Sequence, residues 1–395
     1  MKLSLQKEKV DQAISYLNEG FADAWLIYAS ESSDPCLPLV PGVATVGPGI
    51  FLFTADQGSY AICSSIDAQD IEESGVFNQV IKHPGSLEES LQELMNELAL
   101  KKVALNYSVE EPLADGLTTG RYRWLIKVFE KLDPLELVSS EPFLTKLRSI
   151  KSATELQNIQ QAVDDTIDIY DAVFAKLKPG LTEKQAGDLF VAEMLKRDLV
   201  NGIDRTPSRP IVMKNNIAHR PPSDSVIEPG DLVIFDFSTV FNGYVSDIAR
   251  TVYFLKEGET EAPQRIRDTF ETIYEAISKC KEAMNPGKQG VEIDAIARNL
   301  YIERSYPEIS HATGHQIGQD VHDGGVLLGP AWKRYGSSPY GELEAGMVFT
   351  IEPTIFMEDG IHFIVEENVV ITDNGAEWLS RRQDQLISIP WRRGS

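Results

Sequence analysis

The chain has 395 residues, enough for about two to three domains, and its 42% hydrophobic and 25% charged fractions are those of ordinary soluble protein. Sixty Asp and Glu against 37 Lys and Arg give a net charge of −23, and residues 1–147 alone hold 22 acids and 11 bases, so both halves are acidic. A chain that repels polyphosphate along its whole length excludes nucleic acid and anionic membrane as partners, because that binding rests on basic residues at phosphates.

The first twenty residues, MKLSLQKEKVDQAISYLNEG, show an amphipathic, acid-containing pattern without the continuous apolar core of a signal peptide. Nothing further along approaches the roughly 18 apolar residues of a membrane span. Periodicity predicts a helix over 7–19, strands over 24–28, 49–54 and 60–64, a helix over 87–98, a strand over 102–106 and a helix over 119–132. Asp133-Pro134 then breaks the pattern. Cys36, Cys63 and Cys280 are too few and too scattered for a disulfide framework or a thiolate zinc site, and read as buried free thiols of a cytoplasmic protein.

The segment LRSIKSATELQN opens a second region, with Ser152 and Glu155 spaced as a capping box and a helix predicted as far as Pro179-Gly180. The domain boundary is placed there, giving a smaller mixed α/β domain over 1–145 and a second domain over 146–395. Within the second domain the order of signals recurs. A helix closed by Lys178-Pro179-Gly180 is followed by a capped helix from Thr182, with Gln185 three residues on; later a helix over 264–284 closes at Asn285-Pro286-Gly287 and another starts at Val291. Two helix pairs closed by Pro-Gly, each feeding strands, suggest a duplicated αβ unit and an α+β fold class.

Chemistry concentrates in that second domain. In VIFDFSTVFNGYVSDIARTVYF two β-rich runs flank Asn242-Gly243, a strong hairpin signal. With those two residues as the loop, Phe241 faces Tyr244 and Asp236 faces Ala249, which makes Asp247 a diagonal neighbour of Asp236 at roughly 7 Å. Two acids inside an apolar hairpin call for a positive partner, or else one of them faces water and the other caps a turn. Of six histidines, three fall in HATGHQIGQDVHDGG as His311, His315 and His322, among glycines that let backbone approach a ligand. Ala312 follows His311 where the zinc-protease helix motif requires Glu, so that motif is excluded. Glu352 in MVFTIEPTIF and Glu366 in IHFIVEENVVIT occupy runs that read as buried strands. Asp236, Asp247, Glu352 and Glu366 bring four negative charges, which two divalent cations would neutralise, and His315 adds a neutral nitrogen. Oxygen-rich ligation with a single imidazole favours Mn²⁺, with Co²⁺, Zn²⁺ or Fe²⁺ as alternatives.

These motifs together resemble the pita-bread metallopeptidase family that includes aminopeptidase P, prolidase and methionine aminopeptidase. The resemblance runs in order through LRSIKS at 147–152, His219 in NNIAHRPPSD, Asp236, Asp247 in YVSDIART, His315 and His322 in GHQIGQDVHD, Glu352-Pro353, and Glu366 in EENVVIT. It implies a C-terminal catalytic domain behind a creatinase/prolidase-like N-terminal domain, and hydrolysis of X-Pro peptide bonds by a metal-bridged hydroxide. It further implies Asp236, Asp247, His315, Glu352 and Glu366 as ligands of two metals, Glu352 as general base, and His219 and His322 as hydrogen-bonding partners of the substrate carbonyl and oxyanion. His311 would line the same pocket, and a homodimer acting on small peptides is the expected assembly. This chain departs from the family pattern at Ile364, where Arg is usual, at Phe356 for Tyr, and at Ser238, Ala249 and Thr354. A guanidinium and a phenol are therefore missing, and His362, four residues before Glu366, is not expected to replace them. The alternatives are a non-peptide amide or amidino hydrolase on the same fold, creatinase-like or acting on cyclic or N-acyl amino acids, and a module that uses the cleft only to bind a partner.

Overall fold

In the computed structural model, residues 2–31, 33–56, 58–214 and 220–391 are described, and they fall into two units, Met1–Arg148 and Ser149–Ser395. The first is organised by strand Ala24–Glu31, which pairs antiparallel with Thr45–Thr54 and parallel with Lys102–Leu105 inside a six-stranded sheet. Because side chains alternate along a strand, the sheet buries both faces. Trp25, Ile27, Phe51 and Phe53 pack with helices Lys2–Asn18 and Glu141–Ser149, while Leu26, Ile50 and Leu52 pack with helices Leu87–Leu98 and Thr119–Phe129. Strands Gln79–Lys82 and Glu136–Ser139 at the two edges are half-exposed and show no apolar alternation, so the sequence reading missed them. All three cysteines are buried and free.

In the second unit the Ser152 hydroxyl accepts from the Glu155 amide at 3.3 Å and the Ser152 amide donates to Glu155 Oε2 at 2.7 Å, which completes the capping box and starts helix Ala153–Phe174. That helix stops short of Pro179-Gly180. Glu183–Arg197 follows behind a second reciprocal cap at Thr182 and Gln185. The other helix pair is Gln264–Ala283 and Gly290–Glu303. Gly180 and Gly287 both take the left-handed backbone (φ +93° and +84°) after their prolines, the conformation that glycine adopts without steric penalty.

The first helix pair feeds a four-stranded sheet, ordered Ile387–Ile389, Ile248–Phe254, Leu232–Phe237, Ile211–Lys214. The second feeds a three-stranded sheet of Val348–Ile351, Glu367–Thr372 and Gly375–Trp378, plus a two-stranded ladder of Thr354–Phe356 with His362–Ile364. Phe270, Ile273, Ile293 and Tyr301 of the second helix pair meet Ile351, Ile355, Phe363 and Val365 in one core. Alternation then turns the even-numbered neighbours of those strand residues away from the core.

Glu183, fully buried at the start of its helix, accepts from the Lys214 amide (3.1 Å), from Arg220 (2.7 and 3.0 Å) and from the Ser223 amide and hydroxyl (2.8 and 2.6 Å). No helix among the described residues is long and apolar enough to cross a membrane.

Candidate metal centre

Asn242 and Gly243 both have positive φ (48° and 88°), as a two-residue hairpin loop of the type I′ class requires. Phe241 pairs with Tyr244 and Asp236 with Ala249, the register read from the sequence. The Tyr170 hydroxyl lies 3.0 Å from the Phe235 carbonyl and 2.7 Å from that of Ile248, bracing both strands beside Asp236. Asp247 is held by its backbone. Its amide donates to Asn368 Oδ1 at 3.1 Å, and Asn368 Nδ2 donates to its carbonyl at 2.5 Å. Glu366, two residues before Asn368, donates its own amide to the Ala249 carbonyl at 3.0 Å. Two sheets are thereby joined where Asp247 and Glu366 meet.

Glu352 and Glu366 sit in breaks between strands, after Val348–Ile351 and before Glu367–Thr372, rather than inside buried strands as the sequence suggests. The histidine segment is irregular and is sewn onto the first of these breaks. The Thr350 amide donates to the His315 carbonyl at 2.8 Å, the His315 amide to Thr350 Oγ1 at 3.1 Å, and the Glu352 amide to the Thr313 carbonyl at 2.7 Å. A Cβ on Gly314 would stand 2.1 Å from the Thr350 carbonyl oxygen. That glycine therefore serves the approach of two backbones, where the sequence reading had it serve a ligand.

Two buried ion pairs that periodicity gives no sign of support the segment. Lys151 Nζ meets Asp323 Oδ2 at 2.7 Å, and Arg298 Nε meets Asp294 Oδ2 at 2.5 Å while Asp294 Oδ1 accepts from the Thr313 hydroxyl at 2.8 Å. Arg298 also donates to the carbonyls of Ile309 and His311.

One oxygen of Asp247, one nitrogen of His315 and one oxygen of Glu366 lie within 4.8 Å of one another. His315 Nε2 is 3.4 Å from Glu352 Oε1 and 3.6 Å from Asp247 Oδ2. Its Nδ1 stands 3.2 Å from the Gln316 carbonyl, which can only accept, so the hydrogen is assigned to Nδ1 and Nε2 presents a lone pair. Burial, and then the neighbouring His322, push the His315 imidazole down to about 3, so it is neutral. A bare lone pair thus faces two carboxylates.

Burial raises the Asp247 carboxyl well above its ordinary range, with Asp236 and Glu352 adding to the shift; burial and then Asp236 do the same to Glu352. Glu366 is raised by burial, then by Asp247, Glu352 and Asp236, and Arg250 only partly opposes this. Two donors each about 2.1 Å from one ion stand about 3.0–3.4 Å apart at right to tetrahedral angles, so these separations and this donor set fit a divalent cation.

The structure therefore gathers Asp247, Glu366, Glu352 and His315, with Asp236 close enough to raise all three other acids. The His322 ring packs on His315 with centroids 4.3 Å apart. His311 is in the wall, its Nδ1 2.6 Å from the Ala312 carbonyl and its Nε2 2.8 Å from Thr354 Oγ1. His219 lies outside the described residues.

Residues 157–373, which include all of these acids and imidazoles, match the model of metallopeptidase family M24. A Xaa-Pro dipeptidase of Pyrococcus horikoshii is 25% identical over 389 residues, 98% of this chain and 100% of that protein. The uncharacterized peptidase YqhT of Bacillus subtilis is 28% identical over 313 residues, 78% of this chain and 81% of that one. The crystal structure of an X-Pro aminopeptidase from Thermotoga maritima shares the fold with a TM-score of 0.75 at 22% identity, covering 96% of this chain and 99% of that one. With more than half of its length matched, and with the cation-compatible cluster inside the match, the chain belongs to metallopeptidase family M24 and has the pita-bread fold of that family.

Proposed function

We propose that the protein is a dinuclear metallohydrolase that cleaves X-Pro peptides as an aminopeptidase or dipeptidase. The observation that carries this reading is the convergence of a neutral His315 lone pair with the buried carboxyls of Asp247, Glu352 and Glu366, whose upward shifts Arg250 offsets only in part, at Glu366. Asp236, Asp247, His315, Glu352 and Glu366 would hold two divalent ions, Mn²⁺ first among them on the hardness of the donors. Such ions supply Lewis acidity toward a carbonyl and toward water.

The chain's own residues do the rest. The Glu352 side chain is 21% exposed against 9% for Asp247, so of these two acids it opens further toward a substrate and is suited to take a proton at Oε1 and pass it to the leaving nitrogen. His322, whose ring packs on His315, would donate to the developing oxyanion. His219 is assigned to the substrate carbonyl on the resemblance of its motif alone. His311, with both ring nitrogens engaged, orients Thr354 and shapes the wall. The unit Met1–Arg148 is assigned as the creatinase/prolidase-like domain, and a cytoplasmic homodimer as the working assembly.

The test is a metal-reconstituted screen of Ala-Pro, longer X-Pro peptides and cyclic or N-acyl amides. Cleavage at X-Pro with close to two Mn²⁺ bound per chain is the expected result. Turnover of another amide, with every proline peptide left intact, would transfer the assignment to the non-peptide hydrolase that Ile364 and Phe356 leave open.

A further inference from the structure

Leading away from Glu352 and Glu366 is the two-stranded ladder, in which Thr354 pairs with Ile364 and Phe356 with His362. Ile351, Ile355, Phe363 and Val365 point into the core. Their alternates Thr354 and Phe356 on one strand, and Ile364 and His362 on the other, therefore share the opposite face, with Glu352 and Glu366 in the breaks just beyond the ladder's end. That face has two rungs beyond the carboxylates. On the first, the hydrogen on His311 Nδ1 is committed to the Ala312 carbonyl, so Nε2 accepts from the Thr354 hydroxyl. The hydroxyl is thus turned aside, and what remains is the Thr354 methyl beside the Ile364 side chain. On the second rung the His362 ring packs edge-on to Phe356 with centroids 5.7 Å apart. His362 is 8% exposed and its buried Nδ1 has no hydrogen-bond partner. A buried polar atom left in this state is unfavourable, and a ligand group bonded to it would recover the loss.

Spacing converts these rungs into substrate positions. Ile364 and His362 stand two and four residues before Glu366, at most about 7 and 13 Å of extended chain away. A peptide held at its scissile bond by the carboxylates and extended along the ladder covers the first rung with the first two residues of its leaving portion. It reaches the second rung only with the third or fourth. We propose that this ladder selects the leaving portion, that it favours oligopeptides over free dipeptides, and that His362 is its specificity-determining residue, hydrogen-bonding the main chain of the third or fourth leaving residue. An uncharged first rung offers nothing to the terminal carboxylate of a dipeptide.

This inference rests on the peptidase reading, and the experiment separates the two. Metal-loaded protein is assayed on Ala-Pro and on Ala-Pro-Ala-Ala-Ala, and binding of Pro-Ala-Ala-Ala and of free proline is measured by calorimetry, which needs no turnover. Expected are a kcat/KM about tenfold or more higher on the pentapeptide, and a His362→Ala variant whose KM for the pentapeptide rises about 5- to 10-fold while kcat and the Ala-Pro rate hold. His362→Asn, which keeps a polar atom near the place of Nδ1, should restore most of the loss, and it stands in should the alanine variant fail to fold. If no X-Pro peptide is cleaved, the peptidase reading falls, while tighter and His362-dependent binding of Pro-Ala-Ala-Ala still supports the ladder. Equal affinity for the tetrapeptide and proline, a preference for Ala-Pro, or equal slowing of both substrates in the variants overturns it.

Discussion

Two places in the unit Ser149–Ser395 bury carboxylates and reach opposite ends. Burial raises the Glu183 carboxyl, but hydrogen bonds from Arg220, then Ser223 and Lys214, more than offset it and bring the group to about 2. In the cluster around His315, burial raises Asp247, Glu352 and Glu366, and the charged groups that act on them are chiefly one another and Asp236. The contrast holds even between adjacent residues. Glu367 is met by Arg250 at 3.0 Å, the Ser380 hydroxyl at 2.5 Å and the Gln383 amide at 2.9 Å, whereas Arg250 reaches Glu366 only at its backbone carbonyl, 2.7 Å away. This fold neutralises an interior acid wherever neutrality serves stability alone. Three acids left without that provision around one bare imidazole mark the place reserved for an external charge.

The sharpest way to break the contrast is Asp247→Ala. We expect metal affinity, read by calorimetry, to fall by at least about 100-fold, beyond what loss of an outer-shell partner costs, with peptide hydrolysis lost alongside. Unchanged affinity would remove the cluster from consideration as a metal centre. Chelation should give the next largest effect, and with a definite sign. The raised carboxyls bind protons more tightly folded than unfolded, so in the metal-free protein their own contribution to stability is fully present below the ordinary carboxylate value of about 4 and is lost as pH rises through their raised values. Each extra proton held contributes a slope of about 1.4 kcal/mol per pH unit, and added Mn²⁺ should flatten it in thermal melts.

Glu183→Gln should act in the other direction. Its lowered carboxyl contributes stability above the unfolded value of about 4.3 that is lost as pH falls toward about 2. The variant should be about 3 kcal/mol weaker at neutral pH and lose that acid limb, with metal binding intact; an unaltered acid limb would assign the limb to other groups. Tyr170→Phe, which removes the hydroxyl from the carbonyls of Phe235 and Ile248, should cost about 1 kcal/mol in denaturant titrations and leave metal affinity within twofold.

What the sequence made legible follows from how locally each feature is determined. Asn242-Gly243 sets the hairpin register by itself, so the opposition of Asp236 and Ala249 could be derived by counting. The caps at Ser152 and Thr182 are equally local, and helix Leu87–Leu98 has the bounds its periodicity predicts. The grip of Asn368 on Asp247 spans 121 residues and the Lys151–Asp323 pair spans 172, and neither leaves a periodic trace. One signal was present for the first: Asn368 opens the apolar run of ENVVIT, a polar side chain beside Val369, Val370 and Ile371 that needed a buried partner. The convergence of His315 with Asp247 came from charge reasoning and from resemblance, since no spacing rule joins positions so far apart. Glu352 and Glu366 were misassigned in setting, because a strand that breaks and resumes looks continuous in a hydropathy pattern.

One fastening described above bears on engineering. Lys214 and Arg220, the residues on either side of 215–219, and Ser223 beyond them, all attach to the single carboxylate of Glu183. The strand end at Lys214 and the segment that opens at Arg220 are therefore fastened to one buried acid. A single substitution at Glu183 would release both together, so libraries aimed at new selectivity should hold Glu183 fixed.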